Sequence, residues 1–256
     1  MPHLPRLVLA ASAVALLAQL PLAGATAVAD GALSVTPAVI ERIAVRGDTA
    51  SLAVVNSTNK TLRITVTPRP WTQSRSGAVA PDRRKTLLSR LGVSARSFTL
   101  APGARRSVAM NVKSLPASGS LYGSIETIGT PTGPARRNGI TAAYRLISTL
   151  RLNPPSAKRH LAVRASAARV SGSAIVLPVK NTGNTVSPIS GDVRIKGASG
   201  THTGTIAARP ILPGATVNLG LGSTRGIPAG TYTVTVALRQ GGRSVGRVTR
   251  RLRVKR

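Results

Sequence analysis

Six carboxylates, three imidazoles and no thiol are all that 256 residues offer to acid–base, nucleophilic or metal chemistry. Hydrolysis by paired acids needs two carboxyl groups held a few ångströms apart. Here Asp30 stands at the start of the expected mature chain, and the others are scattered singly from Glu41 to Asp192. His160 and His202 have neither the number nor the spacing of a metal site. Without cysteine there is no thiolate nucleophile, no thiolate ligand and no disulfide. No G-x-S-x-G segment is present. Gly220-x-Gly222 with Gly226 misses the dinucleotide-binding spacing by one residue, precedes no helical pattern, and reads as strand-end glycines. The residues therefore point away from an enzyme and imply no cofactor and no metal. The chemistry left is that of the backbone: a strand with unpaired amides and carbonyls can take up another chain.

The elements that would present such a strand are legible. Phe98 and Leu100 end a short strand, Pro102-Gly103 makes a tight turn, and Ser107 to Val112 alternates apolar with polar residues. Leu115-Pro116-Ala117 breaks that run and Tyr122 opens the next. The same grammar returns as Leu212-Pro213-Gly214-Ala215, Ile227-Pro228-Ala229 and Tyr232. Pro102 and Tyr122 are 20 residues apart, Pro213 and Tyr232 are 19 apart. Upstream of each copy stands a matching pair, Val54-Val55-Asn56 and Val179-Lys180-Asn181. Three landmarks in one order predict two copies of one β-domain. Short strands, frequent turns and no helical period predict an all-β chain, two Ig-like β-sandwiches in tandem.

The predicted organisation is a signal peptide over 1–29, a first sandwich over 30–153, a linker over 154–157 and a second sandwich over 158–256. Arg6 supplies a positive n-region, Leu7 to Leu22 is apolar and uncharged, and Ala27-Val28-Ala29 fits a small-x-small cleavage site. An uncleaved N-terminal anchor is the alternative. No later run approaches the ~20 apolar residues of a membrane span, so the mature chain is expected to be exported and soluble: periplasmic, cell-wall-associated or extracellular. Gln73 to Ala95, with Arg83-Arg84-Lys85, has no counterpart in the second repeat and reads as a long loop, functional or mobile. Trp71 is expected to pack over one end of the core. In the second half, strands are expected at Leu161–Val163, Ile175–Lys180, Val193–Ile195, Val217–Leu221, Thr231–Leu238 and Ser244–Val254.

Thirty-six basic residues against six acidic ones give a formal charge of +30. Such a surface attracts polyanions. Nucleic acid is disfavoured: the chain carries an export signal, its arginines are dispersed, and aromatics are 2% of residues, too few for a stacking platform. An anionic cell-wall polymer, an acidic lipid surface or an acidic protein fits better. A coding bias that merely decorates a solvated surface is the alternative.

Ile140 to Leu152 is the longest strand-like run. Ile140, Ala142, Tyr144, Leu146, Leu150 and Leu152 share one face, and Asn153-Pro154-Pro155 ends it. On Arg42-Ile43-Ala44-Val45, Leu52-Ala53-Val54-Val55-Asn56, the Phe98-x-Leu100-x-Pro102-Gly103 turn and Leu150-Arg151-Leu152, the first half resembles the N-terminal domain of PapD-like proteins, the periplasmic pilus-assembly chaperones and their relatives. That resemblance implies a carboxylate anchor for a client's C-terminus at Arg42 and Arg151, the second being usually lysine in the family. It also implies a last strand that lends apolar side chains to the client, here Tyr144, Leu146 and Leu150. The two-sandwich plan also resembles WxL-interacting surface proteins of Gram-positive bacteria, whose usual membrane anchor this sequence lacks. The resulting expectation is a non-enzymatic envelope protein that captures a protein client by β-strand addition. A cell-wall or cell-surface adhesion module is the alternative.

Overall fold

The computed structural model describes residues 31–47, 49–133 and 143–255. Residues 1–29 and Ile140 to Ala142 of the predicted long strand lie outside the described residues. The first sandwich comprises Leu33–Thr36 (β1), Val39–Ile43 (β2), Thr49–Asn56 (β3), Leu62–Gln73 (β4), Val79–Pro81 (β5), Leu91–Val93 (β6), Ser97–Leu100 (β7), Arg105–Val112 (β8), Leu121–Pro131 (β9) and Tyr144–Asn153 (β10). One sheet runs β1-β3-β8-β6, and the facing sheet runs β2-β10-β9-β4-β5 with β7 also on β4. At Thr36-Pro37, a cis peptide, the chain leaves one sheet and enters the other. The inward halves of the alternating strands meet between the sheets: Leu52 and Val54, Ile64 and Val66, Val108 and Met110, Ile125 and Leu150. Each such fully buried aliphatic side chain contributes about 1.5–3 kcal/mol, and with no disulfide this burial carries the fold.

The second sandwich comprises Val163–Ala165 (β11), Arg169–Ser171 (β12), Ala174–Asn181 (β13), Ile189–Gly197 (β14), Gly200–Arg209 (β15), Thr216–Ser223 (β16), Gly230–Gln240 (β17) and Arg243–Val254 (β18). Strands β11 and β12 share one edge of β13 and β16 takes the other, while the facing sheet runs β15-β14-β17-β18. Its core is again aliphatic, with Leu177, Val179, Ile195, Leu219, Val234 and Val236. The tandem all-β plan read from the sequence is the plan observed. Strand β15 has no signature in the hydrophobic pattern, because it is an edge strand of Thr, Gly and Ala on which only Ile206 is buried. Strand β12 is three exposed residues and equally silent.

The repeated Asn and Pro-Gly landmarks form one device, built twice. Buried Asn56 accepts from the Gly103 N–H through its backbone carbonyl at 2.7 Å and donates its backbone N–H to the Ala104 carbonyl at 3.0 Å. Asn181 does the same with Gly214 at 2.8 Å and Ala215 at 3.0 Å. Their side-chain amides donate to the carbonyls that lead into each turn, Leu100 at 3.0 Å and Ile211 at 2.6 Å. Gly103 and Gly214 adopt φ of 73° and 81°, where a side chain would be strained. The tyrosines do not match as closely. Tyr232 is buried and donates to the Pro228 carbonyl at 2.8 Å, as a corner tyrosine does. Tyr122 lies opposite Arg151 in the ladder and so shares its outward face.

Candidate functional site

Strand β10 is paired with β9 along its described length, from Tyr144 opposite Gly129 to Leu152 opposite Leu121. On its other edge β2 runs parallel to it only from Thr149 to Asn153. Thr149 N–H donates to the Ala38 carbonyl at 2.8 Å, and alternate residues of a strand present their backbone groups to the same side. The N–H and C=O of Ile147 and Arg145 therefore face that edge, where no strand of the described residues pairs with them. Tyr144 and Leu146 lie on this open half, partly buried against the core. Ile147 points to the outer face and is 38% exposed.

The other residues picked from the sequence fall differently. Leu150 is 1% exposed between Gly123 of β9 and Ile40 of β2. It is core, with both edges occupied, and is not available to a partner. Nor do Arg42 and Arg151 converge. The parallel register sets Arg151 opposite Glu41 and Arg42 opposite Leu152. Side chains alternate along a strand, so Arg42 follows Ile40 and Leu152 to one face while Arg151 takes the other. The two arginines expected to share one carboxylate therefore lie on opposite faces of the sheet, and Arg151 lies beside Glu41 at 3.5 Å. About half of each of these side chains is exposed, so this pair is weak and readily exchanged.

Arg151 lines a cavity of about 360 Å³ between the sandwiches. Trp71, Val79 and Tyr122 wall it on the first sandwich, and Val186, Pro188 and Leu212 on the second. Trp71 thus faces the cleft rather than capping the core. The Tyr122 hydroxyl lies 3.1 Å from Asn153 Oδ1 and 3.2 Å from the Asn184 carbonyl, two acceptors that share its single proton. Burial is the main influence on its phenol and raises its pKa above the ordinary value. The cleft combines apolar walls, one half-exposed cation and a phenol, which suits an apolar group ending in a carboxylate.

The stretch expected as a long loop holds this cleft together. Its first part is the β4–β5 hairpin, which reaches across to the second sandwich. Gln73 Nε2 donates to the Pro210 carbonyl at 3.0 Å, and Gln73 Oε1 accepts from Leu212 N–H at 2.8 Å. The Arg75 carbonyl accepts from Asn218 N–H at 2.8 Å, and Arg209 Nη1 donates to the Ser76 carbonyl at 2.6 Å. Further along, Leu87 buries its side chain in the core. The amide of Gln73 alone therefore carries two interdomain bonds, a role that no sequence periodicity announces.

Glu126, on the outer face of β9, is a further residue that no sequence motif singles out. Its carboxylate is 3% exposed and is flanked by Arg69 of β4 and Arg145 of β10, the latter at 2.6 Å. Arg69 Nη1 also donates to the Arg83 and Lys85 carbonyls at 2.9 and 3.3 Å. Desolvation pushes the Glu126 carboxyl up, but the hydrogen bonds and charge of the two arginines outweigh it and hold its pKa below the ordinary range. The network braces the open half of β10 against the sheet. Among the described residues no cluster of acids and histidines could hold a metal, and no helix is long and apolar enough to cross a membrane.

No family model and no curated protein matches the chain. Solved structures do. A chain from the chaperone–tip adhesin complex of CFA/I fimbriae biogenesis superposes with a TM-score of 0.53 at 12% identity, covering 87% of this chain and 99% of that one. The class 5 fimbriae chaperone CfaA superposes with a TM-score of 0.51 at 12% identity, covering 88% and 100%. Identity this low speaks to fold, and the coverage spans both sandwiches. The chain has the PapD-like fold, with the two tandem Ig-like β-sandwiches seen in the fimbrial chaperones.

Proposed function

We propose that the chain is an exported, non-enzymatic binding protein of the cell envelope that captures a partner polypeptide by β-strand addition, as a PapD-like chaperone. The observation that carries this reading is the open edge of β10 at Arg145 and Ile147, left where the pairing of β10 with β2 stops at Thr149. An incoming strand takes the backbone bonds that β2 leaves unmade, and its side chains contact Tyr144 and Leu146. Arg151 lies toward the C-terminal end of β10, so a partner whose terminal carboxylate reaches it runs parallel to β10. That carboxylate exchanges for Glu41 in a charge-assisted contact. Structural likeness to a chaperone solved with a tip adhesin supports the protein-client reading, and the apolar leader over 1–29 supports export.

The test uses short peptides of alternating apolar pattern, each with a free and an amidated C-terminus, titrated calorimetrically into the full mature chain. Free-acid peptides are expected to bind, and amidation or Arg151→Ala to weaken them about tenfold, a figure set below that of a fully desolvated pair because Arg151 is half exposed. Ile147→Pro deletes one open-edge N–H without touching a bond to β9 and is expected to abolish binding with little change in melting temperature. Binding indifferent to both Ile147→Pro and amidation would remove the strand-addition reading.

A further inference from the structure

Away from the cleft, the outer face of the β15-β14-β17-β18 sheet is a lattice of cations and hydroxyls. Across the four strands Thr201, Lys196, Thr233 and Arg251 fall in one row, and Thr203, Arg194, Thr235 and Thr249 in the next. Arg247 and Arg253 extend the face along β18, and both are exposed. Asp192 is the one acidic side chain in residues 158–256, and Arg239 already holds it at 2.7 Å. Arg194, Lys196, Arg247, Arg251 and Arg253 have no acidic partner among the described residues. By contrast, the outer face of β1-β3-β8-β6 presents Ser, Ala, Thr and Asn with Arg105 as its strand cation. The outer face of β2-β10-β9-β4-β5 also carries arginines, Arg63, Arg69, Arg145 and Arg151, but three of these stand beside a carboxylate, Glu126 or Glu41.

Strand spacing sets the backbone positions that carry these side chains about 7 Å apart for Arg251 and Arg253 and about 10 Å apart for Lys196 and Arg251. Those distances are close to the Debye length of about 8 Å at physiological salt, so the cations repel one another and an anion laid across them relieves the repulsion. The face carries no aromatic ring to stack bases and no apolar anchor to enter a bilayer. It offers arginine forks for repeated oxyanions, interleaved with threonine hydroxyls that pair with hydroxyl groups. The geometry points to a docking surface for a linear acidic polysaccharide, with carboxylates spaced along a hydroxyl-rich chain. This goes beyond strand capture and uses the other domain.

The experiment measures fluorescence anisotropy of labelled polygalacturonate with the full mature chain at low and physiological salt. One variant carries Arg194→Gln, Arg247→Gln, Arg251→Gln and Arg253→Gln. A charge-matched control carries Arg83→Gln, Arg84→Gln, Lys85→Gln and Arg105→Gln in the first sandwich. A third carries Thr233→Glu, which sets a carboxylate between Lys196 and Arg251. The face variant is expected to lose affinity about tenfold or more, since several exposed ion pairs are removed together. Thr233→Glu is expected to lose about threefold or more, since its carboxylate repels the polyanion and occupies Lys196 and Arg251. The charge-matched control is expected to lose less than about threefold. Peptide binding at β10 should be unchanged in all three, which separates this site from strand capture. Equal losses in the face variant and the control would overturn the site and leave net charge alone. Polyphosphate or duplex DNA binding as tightly as polygalacturonate, with the same dependence on the face, would overturn the polysaccharide.

Discussion

Replacing Glu126 by glutamine tests whether the carboxylate network holds β10 in place. Glutamine keeps the shape but offers one acceptor and one amino group, so one of the two guanidiniums meets a donor. Removing one member of a fully buried ion pair costs about 3–5 kcal/mol. Two features lower that figure here. The Arg145 side chain is 35% exposed and its pair is screened, which limits its share to about 1 kcal/mol or less. Arg69 is 18% exposed and keeps its bonds to the Arg83 and Lys85 carbonyls. The expected cost is about 2–3 kcal/mol at pH 7, or about 10 °C in the melting temperature of the first sandwich. The pH dependence is more diagnostic. The folded carboxyl binds its proton less tightly than the unfolded one, whose pKa is about 4.3. Ionised Glu126 therefore stabilises the fold above that pH, and the contribution disappears as pH falls through the lower folded value. Urea unfolding of wild type and Glu126→Gln from pH 7 to pH 3 should show a gap that is constant at neutral pH and closes below about pH 4. A gap under about 1 kcal/mol at pH 7, or one unchanged by acid, would refute the inference that Arg69 and Arg145 outweigh the burial of this carboxyl.

Asn181→Ala removes amide bonds to the Thr185 and Ile211 carbonyls at 2.7 and 2.6 Å and leaves both without that donor. It should cost about 3 kcal/mol, read as a lowered second-sandwich transition in calorimetry. Gln240 is fully buried with neither side-chain polar atom bonded. Gln240→Met should therefore be neutral or stabilise by about 1 kcal/mol in denaturant unfolding, and a clear loss would reveal a partner for that amide. Gln73→Ala deletes two bonds between the sandwiches. Small-angle scattering should report a broader range of interdomain angles while the folded content by circular dichroism stays the same; an unchanged scattering curve would show that the rest of the hairpin suffices.

Local chemistry is readable in the chain. Alternation over Ser107–Val112 and Tyr144–Leu152 follows from the two-residue period of a strand, so each residue's companions on one face can be inferred from spacing alone. The Pro-Gly turns at 102–103 and 213–214 follow from backbone preference, and their recurrence with Asn56 and Asn181 is enough to mark the duplication. What the sequence left undecided depends on pairing between distant segments. Whether Arg42 joins Arg151 depends on the parallel register between strands more than a hundred residues apart, where a shift of one residue reverses the face. That register is set by Ile40 and Leu150 entering the same core. Glu126 looks like a lone surface acid until β4 and β10 bring a guanidinium to either side. The β4–β5 hairpin has a loop's composition, because its bonds are made by backbone carbonyls and one glutamine amide rather than by a buried apolar face. The cations of the second sandwich stand in two short runs, 194–196 and 247–253, and the alternation within each is legible in the sequence. Only the pairing of β14, β17 and β18 sets the two runs on one face. Strand formation is dictated by neighbours in sequence, whereas the site is assembled from residues that only core packing brings together.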